Sequence, residues 1–262
     1  MEFQNKTVVI SGGASGMGLL AGECFAKEGA NVALADINPE ALDAAVKRVK
    51  EFTDNVIGCV TDVTKYEDVE ACVKKAKETF GSVDIVIPCA GGAETRLLGV
   101  HDHFYDQPIS VFDFGVDLNL KGAVYFSHAS LRVMKEQKTG GVIILLGSIT
   151  GEEAGKGAVA YATSKSALMN GTLKALAQCG AEIGVRVNTV APGPVLTREA
   201  MANMKTLMGR AAEPQEIVDL IMYLCSDKAS FITGESILID GGRHLMLDRK
   251  QPRWNKEYGV EW

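Results

Sequence analysis

The chain has no Cys-x-x-Cys pair, and its six cysteines, Cys24, Cys59, Cys72, Cys89, Cys179 and Cys225, are scattered. A zinc ribbon or a disulfide framework is therefore not expected, and a reducing, cytoplasmic setting fits best. There is no basic block either, and the formal net charge is −6. Nucleic acid and anionic membranes are thereby excluded as expected partners. The longest aliphatic run, Val142 to Leu146, is far too short to cross a bilayer. The opening residues, Met1-Glu2-Phe3-Gln4-Asn5-Lys6, lack the charged-then-apolar pattern of a signal peptide. Internal repeats, low-complexity tracts and Ser/Gly linkers are also missing.

What is present is enough apolar material for one substantial core: 262 residues, 47% hydrophobic. Short β-branched runs occur at 7–11, 31–35, 56–60, 83–87, 142–147, 185–191 and 236–239. Most are continuously apolar, as strands covered on both faces are. Amphipathic helical patterns separate them at 17–28, 39–52, 66–80, 109–136, 159–183 and 214–225. This alternation predicts an α/β fold, a doubly wound parallel sheet in one domain over residues 1–242. Residues 243–262 read as a polar tail, with Trp254 and Trp262 expected to dock on a neighbouring subunit. Two long loops, 91–107 and 192–210, follow the fourth and sixth strands, where ligands bind in such sheets.

The first strand runs into Ser11-Gly12-Gly13-Ala14-Ser15-Gly16-Met17-Gly18, and a helix opens near Gly16. Glycines at 12, 16 and 18 allow a tight turn, and the free N–H groups of the helix start suit a pyrophosphate. Asp36 closes the second strand, where a carboxylate accepts from ribose hydroxyls and repels a 2′-phosphate. No Lys or Arg lies in the turn or directly after Asp36, so the cofactor predicted is NAD rather than NADP. Asp62 and Val63 follow the third strand, at the expected adenine edge; Asp62 serves equally well as a cap for the next helix.

Tyr161 and Lys165 are four residues apart, on one face of a helix. A free tyrosine titrates at about 10, and a neighbouring ammonium stabilises its phenolate. Ser148 leaves the fifth strand and can hold a substrate oxygen against Tyr161. Asn119 precedes Gly122 within a helical pattern, which suggests a local break whose freed carbonyl holds a water near Lys165.

Together these residues resemble the short-chain dehydrogenase/reductase family over nearly the whole chain. The matching pieces are glycines 12, 16 and 18, Asp36, Asp62-Val63, Ala90-Gly91, Asn119 with Gly122, Ser148, Tyr161 with Lys165, Pro192-Gly193 with Thr197, and Asp240-Gly241-Gly242. The resemblance implies a Rossmann domain with a seven-stranded parallel sheet of order 3-2-1-4-5-6-7, and a cytoplasmic homotetramer. It makes Tyr161 the general acid/base, Lys165 the ribose-binding and tuning amine, Ser148 the substrate-orienting hydroxyl and Asn119 a support for a proton relay. Ser15, Met17, Pro192, Gly193, Val195 and Thr197 fall where the family contacts the dinucleotide. Where the family usually has two asparagines, this chain has Pro88-Cys89. Their strand-tying role must be lost or replaced, with Pro88 at a strand end.

For the substrate, the loops offer Glu94, Arg96, His101, Asp102, His103, Asp106, Glu152, Glu153 and Lys156. So many polar groups suit a polyol, sugar or sugar acid. Arg96 can meet a carboxylate bidentately, and the long loop is similar to that of mannonate-type sugar-acid oxidoreductases. Met201, Met204 and Met208 give the second loop an apolar stripe that reads as ordinary packing, though it would also suit a hydroxysteroid or another greasy alcohol. The alternative function is a hydroxysteroid dehydrogenase or 3-oxoacyl reductase with the same catalytic residues. Glu153 and Met201 are accordingly named with Arg96 as candidate substrate contacts. His101-x-His103 lacks a clear set of further ligands, and no metal is expected. A third reading, a non-catalytic dinucleotide-binding regulator, conflicts with the intact Tyr/Lys/Ser set.

Overall fold

A computed structural model describes residues 1–155 and 157–246. Lys156, Trp254 and Trp262 lie outside the described residues, so the expected docking of the two tryptophans does too. Seven parallel strands form one sheet in the order β3-β2-β1-β4-β5-β6-β7. They are β1 (Thr7–Ser11), β2 (Asn31–Asp36), β3 (Val56–Val60), β4 (Ile85–Pro88), β5 (Gly141–Leu146), β6 (Val185–Pro192) and β7 (Ser236–Ile239). The order matches that implied by the resemblance.

Alternate residues of each strand feed opposite faces, because successive side chains point to opposite sides of the pleat. Val8, Ile10, Val32, Leu34, Ile85, Ile87 and Ile144 pack with Leu19, Phe25, Leu42 and Ile217. Those partners lie on α1 (Gly16–Lys27), α2 (Pro39–Val49) and the last helix, Pro214–Cys225. Val9, Ala33, Val86, Ile143, Leu145 and Val187 pack on the other face with Val69, Val73, Phe126 and Leu173. Val69 and Val73 belong to α3 (Tyr66–Phe80). The continuously apolar strands are thus explained by two covered faces, with a helix layer on each. Among the described residues, no helix is long and apolar enough to cross a membrane.

Three stretches differ from the sequence reading. The loop 91–107 contains a short helix, α4 (Glu94–Leu98), and a 3-10 turn, Phe104–Asp106. The pattern at 109–136 is interrupted: α5 (Ile109–Val116) passes through a π-turn, Asp117–Lys121, into α6 (Gly122–Gln137). This is the break expected around Asn119. After α7 (Thr150–Glu153), the pattern at 159–183 divides into α8 (Val159–Met169) and α9 (Gly171–Ala181), followed by α10 (Pro214–Cys225). The division falls at Asn170, whose backbone leaves the helix at φ −129°, ψ −97°. The hydroxyl of Thr189 on β6 donates to the Leu168 carbonyl at 2.8 Å, so that carbonyl stays satisfied beside the break.

Pro88 ends β4. The ladder to β1 reaches Ser11↔Pro88, whereas the ladder to β5 stops at Val86↔Ile143. The Ala90 N–H just beyond donates to the Ser11 hydroxyl at 3.1 Å. Ser11 therefore ties β1 to the segment after β4 in a chain that lacks the asparagine pair.

Candidate active site

The carboxyl ends of the strands open onto two adjoining cavities. One, of about 490 Å³, is lined by Gly12, Ser15, Gly16, Asp36, Asp62, Val63 and Ala90. The other, of about 380 Å³, is lined by Ser148, Tyr161, Pro192, Gly193 and Val195. Met17, Gly91 and Thr197 line both, so the two form one continuous cleft.

The larger cavity fits a dinucleotide. Gly12 has φ +64°, and a Cβ there would lie 2.9 Å from the Ala90 backbone; only glycine seats the turn against the fourth strand. Gly16 has φ +54° with nothing within 4 Å of its Cβ position, which leaves an open cradle. No side chain caps α1, and its first turn carries no acidic residue. Its N–H groups and positive dipole end are free for a phosphate. Gly18 does not line the cleft; it packs against the Gly12 carbonyl and supports the turn from behind.

Asp36 accepts from the Ala14 and Asn38 N–H groups, both at 3.1 Å. Its carboxylate is thereby fixed beside the glycine turn. The lining around it holds Asp36 and Asp62 but no Lys or Arg. Asp62 accepts from the Thr64 hydroxyl at 2.7 Å and the Thr64 N–H at 3.0 Å. Burial works against its ionisation, but Thr64 and Lys65 outweigh this and hold the carboxyl below its usual range. Asp62 therefore both borders the cleft and organises the turn into α3.

Tyr161 and Lys165 share a face of α8. The Lys165 ammonium lies 5.5 Å from the centroid of the Tyr161 ring and donates to the Leu146 carbonyl at 2.7 Å. Lys165 is buried behind the cleft wall rather than lining it, and a Cβ at Gly91 would lie 3.7 Å from its Nζ. Ser148 follows β5 by two residues, and its hydroxyl oxygen accepts from the Thr150 N–H at 3.1 Å. The Asn119 side chain is buried in the π-turn. It donates to the Gly92 and Gly115 carbonyls at 3.0 and 2.9 Å and accepts from the Gly92 N–H at 2.9 Å. It thus fastens the strand-four loop to the helix across from Lys165. Cys89, beside this loop, has its thiol pushed up to about 11 by burial, with Lys165 opposing the shift.

The candidate substrate residues divide. Arg96 and Met201 line the smaller cavity. Glu153 does not; it lies in a neighbouring cavity, where Arg243 donates to it at 3.1 and 3.2 Å. The ion pair accounts for its placement. Other polar loop residues also miss the cleft: His103 stacks on Tyr105 with ring centroids 5.3 Å apart. Glu94 is buried and accepts from the Ala160 and Tyr161 N–H groups, both at 3.0 Å. Sequence reasoning placed Glu94 at the entrance and missed this role, because its partners lie 66 and 67 residues away. It also missed Arg198, which lines the smaller cavity opposite the loop that bears Arg96.

Known proteins resemble the chain over nearly its whole length. A family model described as enoyl-(acyl carrier protein) reductase matches residues 12–244. The chain is 35% identical over 250 residues to 3beta-hydroxysteroid dehydrogenase 2 of Eggerthella lenta, covering 90% of this chain and 94% of that protein. It is 32% identical over 253 residues to the 3-oxoacyl-[acyl-carrier-protein] reductase FabG of Thermotoga maritima, covering 92% and 99%. A solved 7 alpha-hydroxysteroid dehydrogenase, complexed with NADH and 7-oxo glycochenodeoxycholic acid, superposes with a TM-score of 0.82 at 27% identity. That match covers 92% of this chain and 95% of the other. The chain belongs to the short-chain dehydrogenase/reductase family of oxidoreductases.

Proposed function

We propose that the protein is an NAD(H)-dependent oxidoreductase that interconverts a secondary alcohol and its ketone. The observation that carries this reading is that Tyr161 and Ser148 line a cavity continuous with the dinucleotide cleft, with the Lys165 ammonium 5.5 Å from the Tyr161 ring centroid behind its wall. Bound NAD supplies hydride transfer to or from the carbinol carbon. In oxidation, Tyr161 takes the substrate hydroxyl proton; in reduction, it returns one to the carbonyl oxygen. The Ser148 hydroxyl donates to that same oxygen. Lys165 stabilises the phenolate as it forms, and with NAD bound it would be the amine that holds the nicotinamide ribose. Asn119 holds the Gly91–Gly92 segment in place, and the π-turn beside it offers a route for the proton through water.

Asp36 supports NAD over NADP: a 2′-phosphate would meet its carboxylate with no Lys or Arg in the lining to offset it.

The cavity walls include Met17, Ile149, Val195, Met201 and Met204. Of the polar loop residues that favoured a polyol, sugar or sugar acid, Glu94 caps α8, Glu153 pairs with Arg243 and His103 stacks on Tyr105. An alcohol or ketone on a largely apolar body, of hydroxysteroid or 3-oxoacyl type, therefore suits the site better. A substrate panel followed at the NADH absorbance tests this reading. Turnover of apolar ketones supports it, and turnover confined to polyols and sugar acids contradicts it.

A further inference from the structure

We infer that Arg96 and Arg198 form an anion-binding subsite in the substrate cavity, and that the substrate carries a carboxylate or phosphate besides its reacting alcohol or ketone. This rests on the oxidoreductase reading above and adds a recognition element to it.

The arginines of the chain supply the first argument. Arg48, Arg132, Arg210 and Arg243 pair with Glu23, Glu70, Glu216 and Glu153. Arg186 donates to the Ile232 and Ser226 carbonyls, both at 3.2 Å. Among the described residues, Arg96 and Arg198 have no carboxylate partner. The nearest polar contact of Arg198 is the Met201 sulfur, at 3.8 Å. These two arginines line the same cavity as Tyr161 and Ser148.

Charge supplies the second. The chain carries a net −6, yet the lining of this cavity contains no Asp or Glu. Two solvent-exposed guanidinium groups without a carboxylate partner therefore stand at the rim of a half-open, largely apolar cavity. A ligand whose anionic group reached this rim would exchange water on both cations for charge-assisted hydrogen bonds. A guanidinium offers a planar fork of donors that matches carboxylate and phosphate oxygens.

Local geometry supplies the third. A Cβ on Gly92 would lie 2.5 Å from the Arg96 guanidinium. The absence of a side chain at Gly92 lets Arg96 fold back over the loop backbone. Arg96 rides on α4, after β4, whereas Arg198 precedes the 3-10 turn Glu199–Met201 in the loop after β6. An anion bridging the two would draw the walls of the cavity together, while Met201, Met204 and Ile149 enclose the apolar body.

The test uses three matched probes with NADH: a cyclic ketone bearing a carboxylate, its methyl ester, and the corresponding ketone phosphate. The wild type should favour either anionic probe over the ester by about tenfold or more in kcat/KM. Added salt should reduce that preference. Arg96→Met and Arg198→Met should each move the acid-to-ester ratio toward one, while Arg96→Lys should retain part of the preference. A wild type that does not discriminate, or variants that slow acid and ester equally, would overturn the subsite and leave the oxidoreductase reading standing. If no ketone turns over, the oxidoreductase reading fails. The subsite is then judged by calorimetric binding of the keto acid, and equal affinity in wild type and variants overturns it.

Discussion

The carboxylate of Glu94 holds Tyr161 by its backbone: it accepts the Tyr161 N–H at 3.0 Å and the Ala160 N–H at the same distance. Both donors belong to the first turn of α8, whose own N-cap residue, Ala158, has no capping side chain. A negative charge at this end complements the helix dipole. It also links the strand-four loop to the helix that carries the phenol. Glu94→Gln keeps one acceptor oxygen but turns an amide donor toward the second N–H. This should cost about 1–3 kcal/mol of stability and lower kcat more than it raises the KM for dinucleotide. Urea denaturation and steady-state kinetics check both, and unchanged values in both would refute the positioning role.

Asp36 gives a prediction about cofactor choice. Its carboxylate accepts from Ala14 and borders a cleft without a lining cation. Asp36→Ala removes the repulsion of a 2′-phosphate and frees the Ala14 N–H. Binding of NADP should tighten by about tenfold, equivalent to about 1.4 kcal/mol, while NAD binding weakens. Fluorescence titration of each reduced dinucleotide reads this directly. Comparable wild-type affinity for the two cofactors would contradict the assignment of Asp36.

Much of this arrangement was legible in the chain. The strand runs showed their covered faces by being continuously apolar, and the glycine turn announced the cleft by its place between strand and helix. Tyr161, Lys165 and Ser148 were visible because local spacing and element ends fix where they project. The division of the second long helix at Asn170 was not visible, since it depends on Thr189 from a distant strand taking up the Leu168 carbonyl. Nor were the roles of Glu94 and Glu153. A carboxylate in a polar loop reads the same whether it faces substrate, a helix end or an arginine. Only the tertiary fold brings Ala160 to one and Arg243 to the other.

Asp240 gives a prediction in pH. It accepts from the Gly242 N–H at 2.9 Å and from the His244 N–H and imidazole Nδ1, each at 2.8 Å. Burial opposes its ionisation, but these donors outweigh burial and hold the carboxyl below 3.8. The folded value is thus below the unfolded one. The stabilisation is complete above the unfolded value and is lost as pH falls through the folded one. Asp240→Asn should lower Tm at neutral pH and flatten its decline on the acid side of about pH 4. Thermal melts across that range test it; parallel curves for wild type and variant would contradict it.

The central claim is that the Tyr161 hydroxyl moves the proton that accompanies hydride transfer. The most direct measurement is single-turnover oxidation of bound NADH by a ketone substrate, comparing wild type with Tyr161→Phe. The variant should lose roughly 10²–10⁴-fold in rate while binding NADH with unchanged affinity. A variant that transfers hydride at the wild-type rate would contradict the account.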